Sequence, residues 1–446
     1  MRPGAAWRSG ASPAIGRRRP GRAALTAVAL VGLAACAPSG APTFLTDHNG
    51  GPTTARELRG RPFNQAARNL TNAQLGRFAA GAEPFDQMFT AADGLGPDFN
   101  QPGCLSCHRD GAVRVSAVDA TVPPGFLVRV SQPGSAPNGG PLAEPTYGLQ
   151  LQTRTTDGSD PEASISLRWA TVAGHYPDGS PYSLRRPVLG VTTHRGPLDP
   201  YHWTSIRTAP TMIGLGLLEA IPAASLESAA THEPAGISGR VNRVVDAVTG
   251  QAALGRFGWK AGQASVAAQT VTALREDMGI TTDGPSPEMD ARTLSDLVFY
   301  NRTIAVPISR GTDRPTVQRG AQQFVQSGCA SCHTTTQRTG DDEIAALSNI
   351  TFHPYTDLLL HDMGAGLADG RTEFAASGRE WRTAPLWGLS RRTEVTGTGS
   401  FLHDGRARTI EEAVLWHGGE AAAARRAFEL LPPERRADVL AFLGSL

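Results

Sequence analysis

The chain is poor in cysteine, in aromatic side chains and in net charge. Five of its 446 residues are cysteines, aromatics make up 6%, and 42 Lys and Arg balance 41 Asp and Glu to a formal charge of +1. That balance leaves no overall field, so nothing points to nucleic acid or to an anionic membrane surface as a partner. Scarce aromatics beside 50 glycines and 33 prolines suit a loop-rich protein whose core is partly filled by large flat cofactors. Long apolar runs are missing too. The run over residues 23–33 is too short to span a bilayer as a stable helix, which takes roughly 20 residues. The length allows two or three domains.

Four of the five cysteines fall in two short motifs, Gly103-Cys104-Leu105-Ser106-Cys107-His108 and Gly328-Cys329-Ala330-Ser331-Cys332-His333. Cys-x-x-Cys-His is the attachment pattern of c-type haem. Two thiols three positions apart can form thioethers to the two vinyl groups of one porphyrin, and the next histidine then sits under the iron as its proximal ligand. Two alternatives exist. A four-cysteine zinc site usually has its pairs about 15–20 residues apart, whereas Cys107 and Cys329 are far more widely separated. A redox disulfide also uses Cys-x-x-Cys. Neither explains a histidine directly after each pair. The expectation is two covalently bound haems, held by Cys104, Cys107, Cys329 and Cys332, with His108 and His333 as iron ligands.

The fifth cysteine closes the N-terminal segment. Arg17, Arg18, Arg19 and Arg22 precede the apolar run, which ends Leu33-Ala34-Ala35-Cys36. This resembles a bacterial lipoprotein signal, in which the cysteine is lipidated and becomes the mature N-terminus. An ordinary secretory signal with an incidental cysteine is the alternative. Either way export is expected, to the periplasmic face, with membrane contact only through a lipid on Cys36. Residues 37–60 read as a tether.

The rest divides into an N-terminal haem lobe (61–305) and a C-terminal cytochrome c domain (306–446). The expected fold class is mainly α, two cytochrome c-like lobes with a β-rich insertion of about 112–200 in the first. Each motif is approached by a helical run with a matching phrase: Gly81-Ala82-Glu83-Pro84-Phe85 and Gly320-Ala321-Gln322-Gln323-Phe324. Arg207-Thr208-Ala209-Pro210 recurs as Arg382-Thr383-Ala384-Pro385. Arg207 and Arg382 are expected near haem, since arginine suits the paired oxygens of propionates. The insertion is read from Phe126-Leu127-Val128-Arg129-Val130, from 148–154 and 165–171, and from the turn Pro177-Asp178-Gly179.

Several phrases together carry a resemblance. They are Gly96-Pro97-Asp98-Phe99-Asn100, residues 214–222 and 255–261, Leu360-His361-Asp362-Met363-Gly364, and residues 401–407 running on into 411–419. Over roughly 60–446 the chain resembles the bacterial di-haem oxidoreductases, a family named for peroxidase activity and at times called thiol oxidoreductases. The tail is more distantly similar to bacterial di-haem cytochrome c peroxidases, whose corresponding helix supplies the distal ligand of the electron-transfer haem, usually a methionine. Here that place is held by His417, with Met363, His361 and His403 as rivals.

The resemblance implies a peroxidase that passes electrons from a C-terminal electron-transfer haem to an N-terminal catalytic haem. The donor would be a small electron-donor protein or a quinol-linked cytochrome, the oxidant a small molecule such as peroxide. The first haem has no distal candidate of equal standing; His175, His194, His202 and His232 are available. Glu219 is the candidate for moving a proton during O–O cleavage, and Trp259 for an electron relay between the haems. Their plainer readings are a helix-end carboxylate and a core indole. The alternative function is a non-catalytic di-haem electron-transfer protein.

Overall fold

A computed structural model describes residues 41–55, 62–108, 120–121, 125–232, 234, 236–396 and 400–446. The signal segment with Cys36, parts of the tether and the first residues of the insertion lie outside the described residues.

Helix α1 (Asn72–Asp86) starts at Thr71, whose hydroxyl accepts from Gln74 N while Gln74 Oε1 accepts from Thr71 N. These reciprocal bonds satisfy two backbone donors that a helix start leaves unpaired. α1 leads to the single turn α2 (Cys104–Cys107), which carries the first motif. Next come β1 (Phe126–Ser135), β2 (Ala163–His175), β3 (Pro181–Thr193) and β4 (Trp203–Thr208). β1 pairs antiparallel with β4, and β2 with β3 along their whole lengths, from Ala163 opposite Thr193 to His175 opposite Pro181. Then follow α3 (Leu215–Glu219), β5 (Asn242–Val245), β6 (Ala252–Gly255), α4 (Val266–Met278) and α5 (Ala291–Thr303). The second half holds α6 (Pro315–Gln326), β7 (Leu360–Asp362), β8 (Glu380–Arg382), α7 (Ile410–Trp416), α8 (Ala422–Leu430) and α9 (Pro433–Leu443). Residues 41–446 form one compact unit.

The two matching phrases do the same physical work. α1 crosses α5 at Gly81, where a Cβ would lie 2.0 Å from Asp296 O; α6 crosses α9 at Gly320, where it would lie 1.9 Å from Asp438 O. Only glycine allows backbones that close. The phenylalanine of each phrase is buried beside its crossing: Phe85 packs on Tyr300 at 5.0 Å and Phe324 on Phe442 at 5.2 Å. Truncating either to alanine would cost about 3–5 kcal/mol. Phe85 belongs to one buried apolar cluster, with Leu217, Leu274 and Tyr300, and Phe324 to a second, with Tyr355, Leu415 and Phe442.

The expectation of a mainly α fold is corrected. Helix accounts for 31% and strand for 21%, spread over several small sheets. β2 and β3 are thirteen residues each, and inward positions alternate with exposed ones along the start of β2. Strand pairing also extends beyond the insertion, at β5–β6 and β7–β8. Those runs of three or four residues are too short to show a period in sequence.

Candidate cofactor sites

The first motif opens onto a cavity. Gly103 precedes α2 because the chain passes Gln87 too closely for a side chain; a Cβ would lie 2.3 Å from Gln87 O. Cys104, Cys107 and His108 line the cavity, together with Phe85, Phe257, Trp259 and Leu274. Its volume is about 150 Å³, and it is partly open to solvent. Burial pushes the His108 imidazole down to about 4, so it is neutral at pH 7. The Pro210 carbonyl raises it slightly without meeting hydrogen-bond geometry, and Nδ1 is buried without a hydrogen-bond partner among the described residues.

The second motif presents His333 to His417. His333 Nδ1 donates to Tyr355 O at 2.9 Å, and His417 Nδ1 donates to Ala413 O at 2.7 Å. Each bond fixes its ring and leaves Nε2 for a metal. Burial lowers both, His333 to about 4, so both are neutral, as a metal ligand must be. Their ring centres are 6.4 Å apart. Two metal–nitrogen bonds of about 2.0 Å, with about 1.1 Å from each nitrogen to its ring centre, require about 6.2 Å. The pair is therefore spaced for one iron between them. Beside it, Trp416 Nε1 is a buried donor without a partner among the described residues, a group that a carboxylate of bound haem would satisfy.

The rivals of His417 are placed differently. Both ring nitrogens of His361 are taken by carboxylates, Nε2 by Asp357 at 2.9 Å and Nδ1 by Glu420 at 2.8 Å. His403 stacks on Trp381 with ring centres 3.6 Å apart. Met363 reaches Gly418 through its carbonyl, 2.9 Å from where a Cβ there would lie. His175, His194 and His232 are exposed, and none of the four histidines considered for the first site lines its cavity.

The two alternatives to haem fare poorly. Cys104 packs on the first apolar cluster and Cys329 on the second, so the pairs do not converge on one tetrahedral site. Burial pushes the Cys104, Cys107 and Cys329 thiols up to about 12. A reactive redox cysteine needs the opposite shift. No disulfide joins either pair.

The recurring arginines separate. Arg207 is paired with Glu373 at 2.7 Å and Asp369 at 3.2 Å. Arg382 lines the first cavity, although it belongs to the second half of the chain. Its Nε and Nη1 donate to the carbonyls of Gly258 and Thr383, and burial pushes it down to about 10. A buried guanidinium without a carboxylate at hydrogen-bond distance among the described residues is poised for an anionic group.

Trp259 lies between the two arginine segments. Its indole N–H donates to Thr208 O at 2.6 Å, and its carbonyl accepts from Arg382 N at 2.9 Å. Trp259 lines the first cavity, and its ring centre is 6.5 Å from that of His403. Glu219 is not on the cavity wall. It accepts from Val266 N at the start of α4 and pairs with Arg302 at 2.5 Å. Burial raises its pKa against the pull of Arg302.

Sequence reasoning missed two groups. Asp277 is the carboxylate on the first cavity wall; burial, opposed by Arg129, pushes it up to about 6, and it accepts from Gln150 at 2.8 Å. Nothing sets it apart in sequence from other acids at the end of a helix. Lys260 is fully buried, with Nζ 4.1 Å over the Trp381 ring and 3.2 Å from Asp369. Nothing in sequence marks it as buried, since Arg256 stands in the same phrase, 255–261.

Among the described residues no helix is long and apolar enough to cross a membrane. No curated protein matches the chain. Among solved structures it is similar to the hydrazine synthase of Kuenenia stuttgartiensis, at 16% identity over 54% of this chain and 73% of that one, with a TM-score of 0.32. A likeness that low carries no argument. The family model described as "Di-haem oxidoreductase, putative peroxidase" matches in two segments, residues 45–289 and 282–446, which together take in both motifs and the residues that line the first cavity. With that coverage, and with two histidine-bearing sites suited to iron, the chain belongs to the di-haem oxidoreductase family, whose cofactor is haem.

Proposed function

We propose that the chain binds two c-type haems, through thioethers at Cys104 and Cys107 and at Cys329 and Cys332. In this reading it is a peroxidase, taking electrons at the second site and delivering them to a small oxidant such as a peroxide at the first. Bound haem supplies an iron that changes oxidation state and supports O–O cleavage.

The supporting observation is the asymmetry of the two sites. His333 faces His417 across 6.4 Å, a closed arrangement suited to passing electrons. His108 faces a cavity with no second histidine among its described lining residues. Arg382 is suited to a haem propionate there, a role Arg207 cannot share while its guanidinium is spent on Asp369 and Glu373. Moving a proton between peroxide oxygens needs a group within reach. Asp277 lines the cavity with a pKa near the working range, and is better placed for this than Glu219. Trp259, on the cavity wall and anchored to both arginine segments, is the proposed electron relay.

A carrier without a substrate is the second reading. Met212 and Met278 on the first cavity wall favour it, because a thioether bound at that iron would close the site. Export through residues 1–36 and lipid anchoring at Cys36 belong to the same proposal, as does a small redox protein or quinol-linked cytochrome as donor.

Electron paramagnetic resonance of the oxidised and half-reduced protein tests the reading. The expected result is a low-spin bis-histidine signal from one haem, with a high-spin signal from the other in at least one of the two states. Two low-spin signals in the oxidised protein, followed by only a low-spin signal from the haem that stays ferric on half-reduction, would favour the carrier.

A further inference from the structure

Isolated helices shorter than roughly 12–15 residues do not hold themselves together in water. α7 has seven residues and ends on His417. The direction of that imidazole is therefore set by whatever grips α7. Leu415 anchors the helix in the second apolar cluster. The grip on its N-terminal turn comes from far upstream, from the β2–β3 hairpin.

The hairpin touches the start of α7 on both sides of its tip. Tyr176 Oη donates to Glu411 Oε1 at 2.6 Å, and Arg408 Nη2 donates to Ser183 O at 2.8 Å. Arg408 also pairs with Glu412 of the first turn at 2.6 Å. Below this, Arg185 donates to the carbonyls of Arg406 and Gly405 at 3.0 and 3.2 Å, with its guanidinium 3.9 Å over Trp169. The tip itself is tied to α9: Asp178 Oδ2 accepts from Arg436 Nη2 at 3.0 Å, and that guanidinium lies 4.0 Å over the Tyr176 ring. Tyr176 is 7% exposed and sits edge-on to Tyr182 at 5.2 Å. A hairpin serving only its own lobe would not bury a tyrosine at its tip in the other half's core.

We propose that the tip of the β2–β3 hairpin is a strap that positions His417, so that loosening it turns the closed second site into one that accepts outside ligands. The inference rests on the reading of His417 as the second axial ligand. Tyr176 and Asp178 are positioning residues: they act through α7 and α9 and touch no cofactor.

The test uses the full, haem-loaded chain carrying Tyr176→Phe and Asp178→Ala together, and Tyr176→Phe alone should the pair fail to fold. The bis-histidine signal is expected to weaken, and cyanide to displace it at least about tenfold faster than in the unmodified protein. Glu411→Gln, which still offers Tyr176 an acceptor oxygen, is expected to keep both properties. A lower Tm with unchanged signal and cyanide rate would show the hairpin to be structural only and overturn the proposal. Absence of a bis-histidine signal from the unmodified protein would instead remove His417 as a ligand, and the strap with it.

Discussion

A chain carrying His417→Met is expected to keep its second haem six-coordinate while the midpoint potential rises, by on the order of 0.1 V within the roughly 0.8 V that axial ligands span. The direction follows from the ligand atom, since thioether sulfur favours ferrous iron more than imidazole does. The site tolerates the change because the backbone that delivers residue 417 is fixed from both ends: Thr409 caps α7, and the chain after it turns at Gly418 and Gly419 against Met363 and Asp362. Redox titration followed in the visible spectrum reads the result. An unchanged potential and spectrum would mean that residue 417 does not touch the iron, and the closed second site would lose its basis.

The second large effect is at the other motif. His108→Ala is expected to lower peroxide turnover at least about 100-fold, normalised to haem content, while the low-spin signal of the second site persists. The reason is spatial. His108 lines the first cavity, whereas His333 and His417 make their hydrogen bonds to Tyr355 and Ala413. Losing one iron's ligand should therefore leave the other's geometry intact. Full turnover in this variant would move catalysis away from the first site. Loss of both signals would show that the sites do not form independently.

How much of this could be read from sequence follows from how local each interaction is. The two motifs are legible because the proposed thioether attachment and proximal ligation would come from five consecutive residues. The matching Gly and Phe of α1 and α6 are legible for a similar reason: a close helix crossing demands glycine at one position, and the buried ring follows one turn later. The recurring arginine segments mark the limit. Arg207 and Arg382 sit in identical tetrapeptides, yet Asp369 and Glu373, supplied from elsewhere in the chain, claim the first and leave the second at the cavity. Only the fold distributes such partners.

The histidines make the same point. His361, His403 and His417 are indistinguishable as residue types. Two carboxylates occupy the first, an indole stack the second, and only the third faces another imidazole at the spacing of an iron. The mainly α expectation failed because strand pairing over three or four residues carries no period. The role of the long hairpin was hidden because its tip packs on the second half of the chain, more than two hundred residues away in sequence.

The account stands on covalent haem at both motifs. The most direct measurement is the intact mass of the exported, mature chain under denaturing conditions, beside a variant with Cys104→Ala and Cys107→Ala. The expected result is the mature, lipidated polypeptide plus two haems, and plus one haem in the variant. A bare polypeptide mass with four titratable thiols would contradict the account.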